Sequence, residues 1–219
     1  MFSVDYTVRK ASYHRKVFDW IAPLYDFGIR LVGIFVGGEE NIRRSVLDQI
    51  EPIVNSRILE LFCGTASLSI MAAKDGAYVC GMDLSMVMLR VASDKSKRER
   101  IGVSFVQADA VSIPLRRGVF DRVIVSLGLH EMPLIEIRHI LSEIKRVLRK
   151  RGILVILDYH KAEGLSGLLE RGFIFFVEHD TAREFIMADL QTEIIKAGFV
   201  DFYRRFLSKG VLQIVTARA

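Results

Sequence analysis

The stretch RILELFCGTASLSI, from Arg57 to Ile70, decides the reading of this chain. An apolar run of strand character ends at the carboxylate Glu60 and Leu61. A turn of small residues follows, from Gly64 to Ser67, and then a second apolar run begins. Gly64 can take a positive φ or let a ligand approach the backbone. The helix predicted after the turn presents free N–H groups and the positive end of its dipole. A strand, a tight turn and a helix of this kind form the first unit of a sheet that binds ligands at its carboxyl edge.

The rest of the sequence repeats the unit. Further strand-like runs lie at Ala77–Met82, Val103–Gln107, Phe120–Ser126 and Gly152–Leu157. They are rich in Val, Ile, Leu and Phe with little alternation, as expected of strands buried on both faces. Between Leu134 and Arg149, residues Ile137, Ile140, Leu141, Ile144 and Leu148 fall at helical spacing, and Gly152 reads as the stop signal. Strands alternating with helices imply right-handed crossovers and a mostly parallel sheet. The tail departs from this rhythm. A helix is predicted over about Thr181 to Lys196, and two strands, near Asp201–Leu207 and Val211–Thr216, flank the short connection Ser208–Gly210. The expected fold is therefore α/β, Rossmann-like and doubly wound, with a seven-stranded sheet closing in an antiparallel pair. Residues 1–54 read as an aromatic-rich helical lid region and residues 55–219 as the core, one domain overall.

Composition narrows the class. Half of the 219 residues are hydrophobic, which excludes a disordered chain. No apolar run reaches the roughly 18–20 residues that span a bilayer, and Asp5 and Arg9 interrupt any signal sequence, so a cytoplasmic protein is expected. The two cysteines, Cys63 and Cys80, read as buried free thiols, and no Cys/His spacing resembles a metal site. The formal charge of +5 is partly local, in Lys95–Arg100 and Arg149–Arg151, and reads as solvated helix ends more readily than as a phosphate or lipid site.

The turn itself discriminates among ligands. A dinucleotide site would want three glycines in G-x-G-x-x-G, whereas residues 62–67 offer one, and no Gly-Lys-Ser/Thr run follows for a nucleoside triphosphate. Glu60 repels phosphate but suits an amino group. Asp83 ends the second strand about 20 residues beyond the turn, where a ribose diol is held. Asp109 ends the third strand, placed for an exocyclic amine on a purine, and Asp121 opens the fourth. Carboxylates for an amine, a sugar and a base describe an adenosyl sulfonium better than any phosphate ester.

The motifs RILELFCGTASLSI, GMDLS (81–85), VQADA (106–110) and FDRVIVSLGLHEM (120–132) resemble the successive motifs of class I S-adenosylmethionine-dependent methyltransferases, over about residues 55–160. The resemblance implies S-adenosylmethionine as cofactor. It places Glu60, Phe62, Cys63, Gly64 and Thr65 by its methionine part, Asp83 and Leu84 at the ribose, Asp109 and Ala110 at the adenine, and Ser126 and Leu127 on the methyl-transfer face. Phe62 and Ala66 stand where many members have glycine, and Phe62 must direct its ring away from the cofactor. VFDWIAPLYD (17–26) is similar to the opening of the ubiquinone and menaquinone C-methyltransferases and of related small-molecule and phospholipid methyltransferases. There Tyr13 and Tyr25 would be lid aromatics, with Tyr25 near the sulfonium. Where the quinone enzymes typically continue GLRN after the fourth strand, this chain has Gly128-Leu129-His130-Glu131.

Methyl transfer needs orientation, exclusion of water and, for an acidic acceptor, a base. His130 is the candidate base, with Glu131 to orient it or act in its place; the alternative is a histidine that only caps the loop. His160 follows the fifth strand at the same edge, with a structural role as its alternative, and His14, His139 and His179 read as surface residues. The expected acceptor is a small, hydrophobic or lipid-like molecule. The apolar stretches 27–38 and 164–177 would form its mouth or make a transient contact with a membrane surface, unless they are ordinary helical packing. RNA as acceptor, or binding without catalysis, are the competing readings. RNA is disfavoured because no basic domain and no Asn/Asp-Pro-Pro-Tyr loop is present.

Overall fold

Every apolar run that reads as a strand is one in the computed structural model, which describes residues 38–160, 185 and 187–219. In chain order the elements are α1 (Glu39–Leu47), β1 (Arg57–Leu61), α2 (Ser67–Lys74), β2 (Tyr78–Asp83), α3 (Met86–Glu99), β3 (Val103–Gln107), β4 (Phe120–Ser126), α4 (Leu134–Val147), β5 (Leu148–Tyr159), α5 (Leu190–Lys196), β6 (Val200–Leu207) and β7 (Leu212–Arg218). The seven strands form one sheet in the order β3-β2-β1-β4-β5-β7-β6. β1 to β5 are mutually parallel, and β7 inserts antiparallel between β5 and β6. The fold class expected from the sequence is thus the one observed.

The inner strands β1, β4, β5 and β7 are buried on both faces, and their alternation divides the core in two. Leu59, Val123, Val125, Leu154, Ile156 and Val215 point to the face covered by α4 and α5. Ile58, Ile124, Val155, Leu157 and Ile214 point to the face covered by α1 and α2. On α4 the buried residues Ile137, Ile140, Leu141, Ile144 and Val147 form one stripe, because spacings of three and four return to the same side of a 3.6-residue turn. On α1, Val46 and Leu47 are fully buried. This part of the predicted lid region therefore packs into the core; Tyr13, Phe18, Trp20, Tyr25 and Phe27 lie outside the described residues.

Two boundaries differ most from the sequence expectation, each for a local reason. α4 ends at Val147 and the chain turns extended at Leu148, four residues before Gly152. Gly152 is instead needed for close approach: a Cβ there would lie 2.9 Å from the Arg149 carbonyl, beside the register shift between β4 and β5. The helix expected from Thr181 begins afresh at Leu190, after Asp189 in an extended conformation, and residues 181–184 lie outside the described set. The connection Ser208–Gly210 lies where it was expected and takes the form of a single 3₁₀ turn.

The order of the strands reverses between β1 and β4. Their carboxyl ends, together with those of β2, β3 and β5, open on one rim of the sheet. Crevices for ligands form at such a reversal because successive crossovers leave in opposite directions.

Candidate active site

The turn after β1 holds three residues with left-handed backbone in alternation: Phe62 (φ 57°), Gly64 (φ 50°) and Ala66 (φ 59°). Two of them carry a Cβ, at a cost of about 1–2 kcal/mol each. Hydrogen bonds hold the strained path. The Cys63 N–H donates to the Met82 carbonyl (3.1 Å) and the Ala66 N–H to the Cys63 carbonyl (2.7 Å). Among the described residues, an added Cβ at Gly64 would meet nothing within 4 Å. Thr65 is buried, and so is Cys63, whose thiol is pushed well above its ordinary range by burial and then by the Glu60 and Asp83 charges.

The Phe62 ring lies against Gly128. A Cβ on Gly128 would come within 2.3 Å of the Phe62 Cγ. The ring therefore packs on the loop after β4 and on the apolar core beneath it, and it is not among the atoms near Gly64. The missing Cβ of Gly128 leaves the room that the Phe62 ring occupies.

Asp83, at the end of β2, is tied to the same turn. Its Oδ2 accepts the Gly64 N–H (2.8 Å) and its Oδ1 accepts the Ser85 N–H (2.9 Å). Ser85 also caps α3 by accepting the Met88 N–H (3.1 Å), and the Leu84 carbonyl accepts from Gln107 Nε2 (3.0 Å). Asp109, at the end of β3, is exposed and bends its loop by accepting the Val111 N–H (3.0 Å), with Ala110 buried beside it. Burial, and then the neighbouring Asp109, raise the Glu136 carboxyl above its ordinary value.

Glu60 has turned inward on the α2 face. It is 2% exposed, accepts from the Ser69 hydroxyl on α2, and lies 3.5 Å from the Ser126 hydroxyl at the end of β4. Desolvation pushes its carboxyl up to about 7, against the opposing pull of Ser69 and of Arg43 on α1. Leu127 follows Ser126 with φ 53° and donates its N–H to the Leu157 carbonyl (2.8 Å).

His130 is buried, and its orienting partner is a residue the sequence reading did not single out. Its Nδ1 lies 2.7 Å from Oδ1 of Asp158, which is fully buried near the end of β5. The Asp158 oxygens also accept the N–H groups of Leu129 (2.9 Å) and Tyr159 (2.8 Å). Glu131 stands on the other side of the ring, 3.8 Å from Nε2, and the Tyr159 ring meets the imidazole edge-on at 4.7 Å. The signal for Asp158 was present in Gly152–Tyr159: one carboxylate at the end of an otherwise apolar strand. His160 sits in the β-hairpin side of the sheet, its Nδ1 3.3 Å from the Gly210 carbonyl and its ring against Phe206. His139 is exposed on α4. Asp121 belongs to the opposite rim, where it accepts the Arg57 N–H (2.8 Å) and pairs with Arg149 (2.6 Å). Tyr25, His14, His179 and residues 164–177 fall outside the described residues. Among the described residues no cluster of His, Cys, Asp and Glu would hold a metal ion, and no helix is long and apolar enough to cross a membrane.

The chain matches the family described as methyltransferase domain over residues 58–152. It is 30% identical to a protein called an uncharacterized methyltransferase from Synechocystis, over 92% of each chain. It is 34% identical to the demethylmenaquinone methyltransferase of Thermus thermophilus, covering 71% of this chain and 70% of that enzyme. Among solved structures, the [4+2]-cyclase SpnF superposes with a TM-score of 0.67 over 93% of both chains; at 19% identity that likeness speaks to the fold.

Proposed function

Because this chain belongs to the S-adenosylmethionine-dependent methyltransferases, we propose that it methylates a small hydrophobic acceptor of the quinone type, with His130 collecting the acceptor's proton. The observation that carries the acceptor class is the 34% identity with a demethylmenaquinone methyltransferase across 70% of that enzyme's length. His130 then stands in the loop after β4, where the quinone enzymes typically carry GLRN.

The rim fits the cofactor. Among the described residues nothing crowds Gly64, so a ligand can approach its backbone, and the surrounding acids suit a group with a cationic head, a diol and an amine. In this reading the turn from Phe62 to Thr65 holds the methionine part. Asp83, already fixed by two N–H bonds, accepts from the ribose hydroxyls, with Leu84 beside it, and Asp109 and Ala110 frame the adenine. Ser126 and Leu127 line the face where the methyl departs. Glu60, hidden behind Ser69 and Ser126, acts on the ammonium through charge and through those hydroxyls. Bound S-adenosylmethionine supplies an electrophilic methyl group on sulfur. The chain's own part is to align the acceptor with that methyl, exclude water and remove one proton. A phenolic or hydroquinone acceptor would lose its hydroxyl proton to His130, making the ring carbon a nucleophile; once that carbon had taken the methyl, its own C–H proton would leave to restore the aromatic ring and the oxygen would regain a proton from His130.

The test is incubation with methyl-labelled S-adenosylmethionine and a reduced demethylated naphthoquinone, alongside RNA and phospholipid fractions. Label is expected in the quinone fraction, and His130→Ala is expected to slow turnover while leaving cofactor affinity unchanged. Label confined to RNA or to phospholipid headgroups overturns the acceptor class, and full activity of His130→Ala removes the base.

A further inference from the structure

We propose that Asp158 is a positioning residue that holds His130 in the tautomer whose Nε2 lone pair accepts the acceptor's proton; this rests on the reading of His130 as the base. An ionised carboxylate only accepts hydrogen bonds, so the 2.7 Å contact between Asp158 Oδ1 and His130 Nδ1 requires the hydrogen to sit on Nδ1. In the neutral ring the lone pair then belongs to Nε2.

The arrangement is built to resist turning. Asp158 has no exposure at all, and both of its oxygens are engaged by backbone N–H groups as well, from Leu129 and Tyr159. Those two donors lie on either side of the imidazole contact: Leu129 immediately precedes His130, and Tyr159 presents its ring edge-on to it. One carboxylate thus fixes the loop after β4 and the ring it carries in a single geometry. Such rigidity is more than a loop cap requires, since the Leu129 N–H bond alone would close the turn. When the ring takes a proton it becomes a cation, and the buried carboxylate 2.7 Å away offsets the cost of charging it in the interior. The same logic governs the aspartate of hydrolytic triads, where the aspartate-to-asparagine exchange keeps the geometry but inverts the tautomer.

Two measurements test this. In wild-type protein carrying ¹⁵N-histidine, long-range ¹⁵N–¹H correlation is expected to show His130 protonated on Nδ1 and bare on Nε2 at alkaline pH. In Asp158→Asn, whose amide donates where the carboxylate accepted, the pattern is expected to invert. Turnover of Asp158→Asn is expected to fall about 10²-fold or more, with KM and S-adenosylmethionine affinity within about 2-fold of wild type. A wild-type spectrum with the hydrogen on Nε2 overturns the proposal whether or not the variant folds. A well-folded Asp158→Asn with unchanged kcat, beside an inactive His130→Ala, also overturns it while leaving His130 as base. An active His130→Ala overturns the base itself, whatever the tautomer.

Discussion

The two rims of the sheet use the same carboxylates in opposite ways. At the rim where β1 and β4 begin, acids meet guanidinium and ammonium groups: Asp121 pairs with Arg149 (2.6 Å), Glu143 with Arg146 (2.7 Å), Glu99 with Lys74 (2.5 Å) and Asp75 with Arg44. At the rim where those strands end, the bonds described run to dipoles instead. Asp83 accepts from two backbone N–H groups, Glu60 from serine hydroxyls, and Asp158 from two N–H groups and an imidazole. The cause is partly topological. Each helix of a parallel crossover runs from the second rim back to the first, so basic residues that complement helix C-termini collect at the first. On the second rim, backbone N–H groups fix the carboxylates of Asp83 and Asp158 in place. One rim ties its acids to solvated cations; the other anchors them on the backbone.

The largest effect expected from that contrast is at Asp83. Asp83→Ala removes a charged acceptor and leaves the Gly64 N–H without its partner, together about 3–4 kcal/mol. Calorimetry should then show S-adenosylmethionine affinity falling by roughly 100- to 1,000-fold. Asp121→Ala, the matching deletion on the other rim, should leave affinity within 2-fold. Equal losses at both would mean the rims are not functionally distinct.

Glu60 comes next, and its sign is counter-intuitive. Its folded carboxyl titrates near 7, against an ordinary value of 4.5. The folded state therefore binds more protons than the unfolded chain between those values, and stability falls as pH rises from about 4.5 to 7 and then levels. At 1.36 kcal/mol per pH unit the difference is about 3 kcal/mol. Glu60→Gln should abolish this slope and raise the melting temperature of the ligand-free protein above pH 7, while weakening S-adenosylmethionine binding. A variant that melts lower than wild type at pH 8 would show that the buried carboxylate is a stabilising group.

Much of this was legible in the sequence, and what was not has a physical reason. Apolar runs without alternation reveal strands buried on both faces, so β1 and β4 are found to the residue; β3, at the sheet edge and only half buried, is found to the residue as well. The acids at strand ends announce the ligand rim, because a carboxylate closing an apolar strand serves little in a core. Asp158 obeyed that same rule but was overshadowed by His160, two residues on. Alternation puts Asp158 on the α4 face with Leu154 and Ile156, and a spacing of two would put His160 there as well; the strand ends at Tyr159, however, and the His160 ring lies against Phe206 instead. The inward turn of Glu60 was equally hidden, since it depends on Ser69, nine residues away on α2. Asp121 shows the converse error to guard against: an acid at the start of a strand lies on the wrong rim for the ligand.

The accommodation of Phe62 sharpens the picture of the ligand rim. Gly128→Ala places a Cβ 2.3 Å from the Phe62 Cγ, so the ring or the loop must move. Overpacking of this kind costs about 1–3 kcal/mol. Chemical denaturation should show that loss, and Phe62→Ala in the same chain should recover most of it, with a coupling of about 1–2 kcal/mol between the two sites. If the ring instead swings over Gly64, cofactor affinity will fall more steeply than stability.

The smallest effect belongs to the first rim and is diagnostic because it is small. Burial works against the Asp121 charge, yet the Arg57 N–H and the Arg149 guanidinium hold its carboxyl below the ordinary value. A depressed carboxyl contributes stability above its unfolded value that is lost as pH falls through its folded one. Arg149 is nearly half exposed, so solvent screens the pair and the ion-pair part is worth no more than about 1 kcal/mol. Asp121→Asn, which can still accept the Arg57 N–H, should therefore cost less than about 1 kcal/mol at pH 7 and next to nothing at pH 3. Adding 0.5 M salt should shrink the difference further. The Glu60 slope should survive the same salt, because its cause is burial and not pairing. A salt-insensitive Asp121 would place a dry, strongly coupled charge at the rim where neutralisation by solvated cations is the rule.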